Sequence, residues 1–401
     1  MRHLKRNRVF NYHLLLAASV FLLFFAACGG KGSKKPDDPD VPVPPPPPPP
    51  VVVSITISPT AATIKAGDSI PLTVTPQNTG FTVSASEGSF TTSGNIVTYT
   101  PPSSKGEYEL TVTASSDTTK RATALISVFE IDDIDIPEAV HTELYGINNH
   151  GLMIGESVDG YNNRTAFLRT GDDYIPIGPS GVVGNVYVFG INDDGHVLGY
   201  ADDYGYFLRT GSLYQPVGNY PDAEFTNYTD INNSGYLTGY VTDVVGYSRG
   251  FIRIGDDFSF VDHPEAASSC AYYECGTWLY GINNSGQAVG EYMGSDGRYR
   301  SFIKDGDDYI PLAPSVEPGV LFSVHVNGIN DSGVAVGYFL DSSGYSRGFM
   351  SDGVDFEEFI HPAASSYGTD RGTYLEGIND SGQVVGMFYD GEKARGFSIN
   401  F

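Results

Sequence analysis

One tripeptide constrains this chain more than anything else in it. Gly-Ile-Asn occurs at Gly146-Ile147-Asn148, Gly190-Ile191-Asn192, Gly281-Ile282-Asn283, Gly328-Ile329-Asn330 and Gly377-Ile378-Asn379, with Asp230-Ile231-Asn232 as a variant sixth copy. The isoleucines lie 44, 40, 51, 47 and 49 residues apart, a period typical of tandem repeats whose unit is one small sheet. Each core continues as x-x-Gly-x-x-x-Gly, as in Asn379-Asp380-Ser381-Gly382-Gln383-Val384-Val385-Gly386. A Gly/Asp turn follows, then an aromatic strand centred on Phe167, Phe207, Phe251, Phe302, Phe349 or Phe397. A fourth strand comes after Gly-Asp-Asp-Tyr turns, at Ile175-Pro176-Ile177 and Ile310-Pro311-Leu312 for example. Four short strands in ~46 residues make one propeller blade.

The repeat also predicts its own packing. The polar residues of Asn-Asp-Ser-Gly favour the first turn positions, and the glycine takes the left-handed one. Ile378, Val384 and Val385 are expected between blades. Gly386 and its counterparts on the second strand are expected to let neighbouring sheets approach. The last copy stops at Phe401, straight after its third strand. Residues 132–139 resemble the fourth-strand segments around Phe260-Val261-Asp262-His263-Pro264-Glu265-Ala266 and Phe359-Ile360-His361-Pro362-Ala363. An N-terminal strand completing the last blade would leave no unpaired edge, so a closed ring is expected rather than an open solenoid.

With its Gly-Ile-Asn-Asp-Ser-Gly-Gln-Val-Val-Gly core and Gly/Ala-Phe strand, the segment of about 270 residues resembles the bacterial extracellular HAF-type repeat. It departs in having Arg249-Gly250-Phe251, Arg347-Gly348-Phe349 and Arg395-Gly396-Phe397 where that family usually has histidine before Gly/Ala-Phe. The resemblance implies export and a propeller, and no settled activity. Upstream, Ile55-Thr56-Ile57-Ser58-Pro59, residues 64–74 and Gly106-Glu107-Tyr108-Glu109-Leu110-Thr111-Val112-Thr113-Ala114 resemble bacterial Ig-like domains, which act as spacers or, less often, adhesive tips. The expected fold is all-β: an N-terminal Ig-like β-sandwich, then a six-bladed β-propeller closed by an N-terminal strand. The expected parts are a lipoprotein signal peptide (1–27), a lipid-anchored Pro-rich tether (28–50), the Ig-like domain (51–129) and the six-repeat propeller (130–401).

The N-terminus reads as export machinery. Arg2, Lys5, Arg6 and Arg8 precede an apolar run from Leu14 to Ala27, too short at about 1.5 Å per residue to cross a ~30 Å hydrocarbon core. Phe25-Ala26-Ala27-Cys28 resembles the lipobox, which implies a lipid on Cys28, a membrane as partner and a place in the cell envelope: outer membrane, cell surface or periplasm. Pro44 to Pro50 form a stiff polyproline II spacer. Removing the signal takes the net charge from −25 to −29, which repels phosphate backbones and argues against nucleic acid as a partner. A monomer is expected. In an oxidising compartment Cys270 and Cys275 are expected as a local disulfide.

Several residues could carry recognition or chemistry. Arg164, Arg249, Arg300, Arg347 and Arg395 recur once per copy and would form either a basic collar for an anionic group or ion pairs with acidic turns such as Asp172, Asp256 and Asp307. Residues 263–280 interrupt the period and carry Tyr272, Tyr273 and Trp278, either a stacking rim for glycan or protein or a stapled loop with its aromatics packed beneath. Asn192-Asp193-Asp194-Gly195 and Asn330-Asp331-Ser332-Gly333 could hold calcium, or simply form Asx turns; no other cofactor is expected. Gly246-Tyr247-Ser248-Arg249-Gly250 and Gly344-Tyr345-Ser346-Arg347-Gly348 match a nucleophile elbow but sit in a β-repeat, and other copies replace the serine by Asn163, Tyr299 or Ala394. No catalytic residue is assigned. The function expected is a surface binding or scaffold module, the alternative a carbohydrate lyase or hydrolase working at the propeller channel.

Overall fold

The computed structural model describes residues 54–75, 80–267, 275–313, 323–366 and 371–400. Cys28, the proline tether, Cys270, Tyr272 and Tyr273 lie outside the described residues. Among the described residues every regular element is a strand, and Val53–Phe401 form one compact unit.

The first part of that unit is a β-sandwich. One sheet orders Thr56–Ser58, Ile70–Thr75, Ile96–Thr100 and Ser89–Ser93; the other pairs Phe81–Ala85, Gly106–Ala114 and Arg121–Ile134, with Ala61–Lys65 running parallel along the last. Alternating side chains of both sheets, among them Leu72, Val74, Leu110, Val112 and Ile126, are fully buried between them, the period-2 pattern of a sheet with one wet face.

Six four-stranded antiparallel blades follow. Their inner strands are His141–Ile147, Val186–Ile191, Phe225–Ile231, Cys275–Ile282, Val324–Ile329 and Gly372–Ile378. In blades 1 to 5 the next three strands pair outward in chain order, within spans ending at Ile177, Pro216, Val261, Leu312 and Phe359. Blade 6 takes its fourth strand from upstream: Gly396 pairs with Ile134 and Asn400 with Glu130. The 14-residue strand Arg121–Ile134 therefore serves the sandwich with its first half and blade 6 with its second. The predicted boundary at 129/130 falls inside this strand. The phenylalanine of each third strand is at most 3% exposed, packed at the centre of its blade.

The glycines take two roles, one of them different from the expectation. The second-strand glycines face a bulge of their own blade: a Cβ at Gly239, Gly337 or Gly386 would collide with the carbonyl of Asn227, His325 or Tyr374 on the paired inner strand. It is the glycine of Gly-Ile-Asn that lets neighbouring blades approach. A Cβ on Gly377 would lie 3.0 Å from Gly146 Cα, and one on Gly281 3.2 Å from Gly328 Cα. Inner strands converge at the axis, so there the backbones have to touch.

Candidate functional site

The repeated asparagine links each inner strand to the next in a hydrogen-bonded circuit. Asn148 Nδ2 donates to the carbonyl of Asn192 (2.9 Å), Asn192 to Asn232 (3.2 Å), Asn232 to Asn283 (3.1 Å), Asn283 to Asn330 (2.9 Å), Asn330 to Asn379 (3.2 Å) and Asn379 back to Asn148 (3.1 Å). Each Oδ1 also accepts from its own turn, as Asn379 does from the amides of Ser381 and Gln383. These buried amides thus have partners on both ends. A second circuit lies one residue on, where the backbone amides of Asn149, Asp193, Asn233, Asn284, Asp331 and Asp380 each donate to the next side chain around the ring. The Asx turns that might have held calcium are engaged in these circuits, and no group of three or more His, Cys, Asp or Glu among the described residues is placed to hold a metal.

A β-bulge recurs just before each Gly-Ile-Asn or its variant, and its extra residue varies among the blades: Tyr145, Phe189, Thr229, Tyr280, Asn327 and Glu376. A bulge re-aims one side chain out of the pleat. Thr229 and Asn327 use theirs to reach the carbonyls of Leu279 and Leu375 in the following blade. Asn327 and the other four line a central cavity of about 100 Å³. Sequence comparison overlooked this position, although it was readable as the variable residue beside a constant motif. Burial pushes Glu376 up to about 8, with Glu143 adding repulsion. Asp230, which replaces the motif's glycine in blade 3, is pushed up to about 7 by burial despite accepting from the amides of Ile231 and Ile282.

The five recurrent arginines do not form one collar. Arg164 is three residues before its phenylalanine, whereas the other four are two before, and a one-residue offset in a strand reverses the side chain's face. Its Nη1 bridges Glu143 (2.7 Å) and Glu156 (2.8 Å). Burial raises Glu156 to about 7, opposed by Arg164 and the Val188 amide. Arg249 pairs with Asp262, Arg300 with Asp296, Arg347 with Asp341 and Glu358, and Arg395 with Asp390 and Asp135. None of these is the acidic turn expected for it: Asp172 and Asp256 face Arg169 and Arg253 instead. Trp278, for which a stacking rim and a packed position were both open, is 3% exposed and packs with Cys275 and Met293. Cys275 is disulfide-bonded. Ser248 and Ser346 are buried on strands, bonded to Thr242 and Tyr374, so neither forms an elbow.

A second cavity, of about 470 Å³, opens beside blade 4. His263 stacks on Tyr292 there, centroids 3.7 Å apart and planes within 5°. Its Nδ1 accepts from the Glu265 amide (3.1 Å), which leaves the proton on Nε2. That nitrogen has no partner among the described residues and borders the cleft, whose walls include Tyr299, Arg300, Tyr309, Pro311 and Glu265. Burial holds the imidazole below its ordinary value, against a smaller opposing pull from Glu265.

No family model matches the sequence, and neither does any curated protein. Among solved structures the chain is similar to a variant of the Aleuria aurantia lectin in complex with Fucα1-6GlcNAc, at 12% identity and a TM-score of 0.40, over 66% of this chain and 96% of that one. Another structure of that lectin, described as a six-bladed β-propeller with a novel fucose recognition mode, gives 11%, 0.38, 67% and 93%. A DUF4784 family protein from Bacteroides caccae gives 10%, 0.25, 76% and 95%.

Proposed function

We propose that this chain is a cell-envelope lipoprotein whose propeller head binds glycan. Support for the anchor comes from the sequence, where small residues lead to Cys28 and a stiff proline spacer follows. The sandwich is read as a bacterial Ig-like spacer, on the motifs at residues 55–59 and 106–114. The pairing of residues 130–134 with blade 6 and the return of the asparagine circuit to Asn148 support a ring closed by an N-terminal strand. Cys270 is read as the partner of Cys275.

The observation that carries the binding reading is the cleft beside blade 4. Sugar rings combine apolar C–H faces with hydroxyls that need fixed partners, and a pocket with aromatic walls and few polar groups meets both needs. Tyr299 and Tyr309 supply aromatic faces, His263 Nε2–H a donor and Glu265 an acceptor. The paired carboxylates that a glycosidase would require do occur, at Glu143 and Glu156. Arg164 fills the space between them, where a glycosidic bond would have to sit. A glycan array read with the whole protein, with and without chelator, tests the proposal. Binding that survives chelation and is lost in His263→Ala supports it; binding unchanged in that variant, or glycan turnover, overturns it.

A further inference from the structure

The cleft beside blade 4 sets a carboxylate next to its open histidine. Glu265 holds both members of the stacked pair: its amide donates to His263 Nδ1 (3.1 Å), and its Oε2 accepts from the Tyr292 hydroxyl (2.8 Å). The two rings lie 3.7 Å apart, and Tyr309 meets His263 edge-on at 4.6 Å. His263 Nε2 and the Glu265 carboxylate are therefore separated by little more than a tyrosine ring and one hydrogen bond, which a single hexose can span. Both ends are reachable. Among the described residues the one buried side-chain polar atom without a partner is Arg169 Nε, so the partnerless Nε2 of His263 keeps open surface. Glu265 is exposed on the cleft wall and has no donor on its Oε1 among the described residues.

Two cations touch the aromatic walls, Arg300 over Tyr292 (6.0 Å to the centroid) and Lys304 over Tyr309 (5.4 Å). Both are engaged. Arg300 makes two hydrogen bonds to Asp296 (3.0 and 2.8 Å), which also draws Arg298 (3.7 Å), and Lys304 donates to the Gly306 carbonyl. His263, held below its ordinary value by burial, brings a neutral donor. Glu265 forms no ion pair among the described residues and is the charged group left over, in a chain of net charge −25. A carboxylate or sulfate on a sugar is repelled there. An ammonium is drawn in by a charge-assisted hydrogen bond, roughly twice as strong as a neutral one. We propose, building on the glycan reading of this cleft, that its ligand is an amino sugar with a free ammonium group. The ammonium sits on Glu265, a hydroxyl oxygen accepts from His263 Nε2–H, and the C–H face lies against the aromatic walls.

Isothermal titration of the whole protein with a glucosamine trimer and with its N-acetylated counterpart, at about pH 7 and matched ionic strength, tests this. Binding of the free-amine trimer at least ~10-fold tighter, with Glu265→Gln bringing that ratio down to about 1, supports the proposal. Glu265→Gln keeps the shape of an exposed side chain, so its unfolding midpoint is expected to hold. A strongly acidic protein attracts any polycation, so Asp222→Asn is the control. Exposed Asp222 follows Tyr220-Pro221 as Glu265 follows His263-Pro264, on a step where Tyr220 packs edge-on against Phe258 and Phe260. Removing its charge should leave the ratio unchanged. Equal binding of the two trimers, uptake of neither, or a ratio lowered as much by Asp222→Asn as by Glu265→Gln overturns the amino-sugar assignment. The glycan reading is tested separately, by the array and His263→Ala.

Discussion

His361 and His263 occupy the same step of the propeller in different blades, and one is closed while the other is open. Both donate their backbone amide to a threonine hydroxyl on the next inner strand, Thr373 and Thr277, at 2.8 Å. Both rings stack at 3.7 Å on the second strand of the following blade, on Phe388 and Tyr292. In both, Nδ1 accepts an amide two residues on. The difference is at Nε2. Asp133 meets His361 at 2.9 Å. The residue that pairs in the same way with the blade's phenylalanine near His263 is Pro311, whose side chain has no acceptor. A fourth strand supplied from upstream seals one step, and the local fourth strand leaves the other as a cleft.

Both steps depend on the shared asparagine circuit, so the largest effect is expected there. Asn283→Ala removes acceptors from the amides of Ser285 and Gln287 and donors from Asn330 O and Gln287 Oε1. Unfolding in urea should show a loss on the order of 4 kcal/mol. A loss below ~1 kcal/mol would mean that water replaces the circuit.

Pro311→Asp should convert the open step into a closed one. The new carboxylate is expected to reach His263 Nε2, raise that histidine's pKa by NMR titration, add ~1 kcal/mol of stability and abolish ligand binding in the cleft. Binding that persists would show that the open nitrogen is not what the cleft uses.

The pH dependence separates the two steps next. His263 is held below the ordinary histidine value of 6.5 by burial, so the folded protein carries fewer protons there than the unfolded chain. Stability should therefore decline as pH falls below about 6.5, and His263→Gln should flatten that limb of the profile. Asp133 is held below the ordinary 3.8 chiefly by its hydrogen bond from His361. Its contribution is present above that value and lost as pH falls below it, so Asp133→Asn should alter only the acid limb. The smallest effect belongs to neither step: Arg249→Ala, which breaks a half-exposed pair with Asp262, should cost under ~1 kcal/mol and shrink further in high salt.

Much of this architecture was legible from the chain. Four strands per copy and the left-handed glycine of each turn (Gly382 φ 79°, for instance) come from local rules of turn chemistry and alternation, while the segment expected at 132–139 to complete the last blade pairs with it only over residues 130–134. The candidate sites were less legible. The recurring arginines share a repeat phase but not a spacing to phenylalanine, and one residue of offset places Arg164 between two glutamates instead. For Trp278 the adjoining insertion left rim and packed positions equally open, and only its place on an inner strand, packed with Met293, decides between them.

The sequence by itself determined the repeat and its count, because each depends on short-range pattern and turn chemistry. Only the tertiary structure decided what the constant asparagine and the variable residue before it do. Their partners lie 40 or more residues away in neighbouring blades, and a bulge that turns Glu376 towards the axis has meaning only once six inner strands meet there.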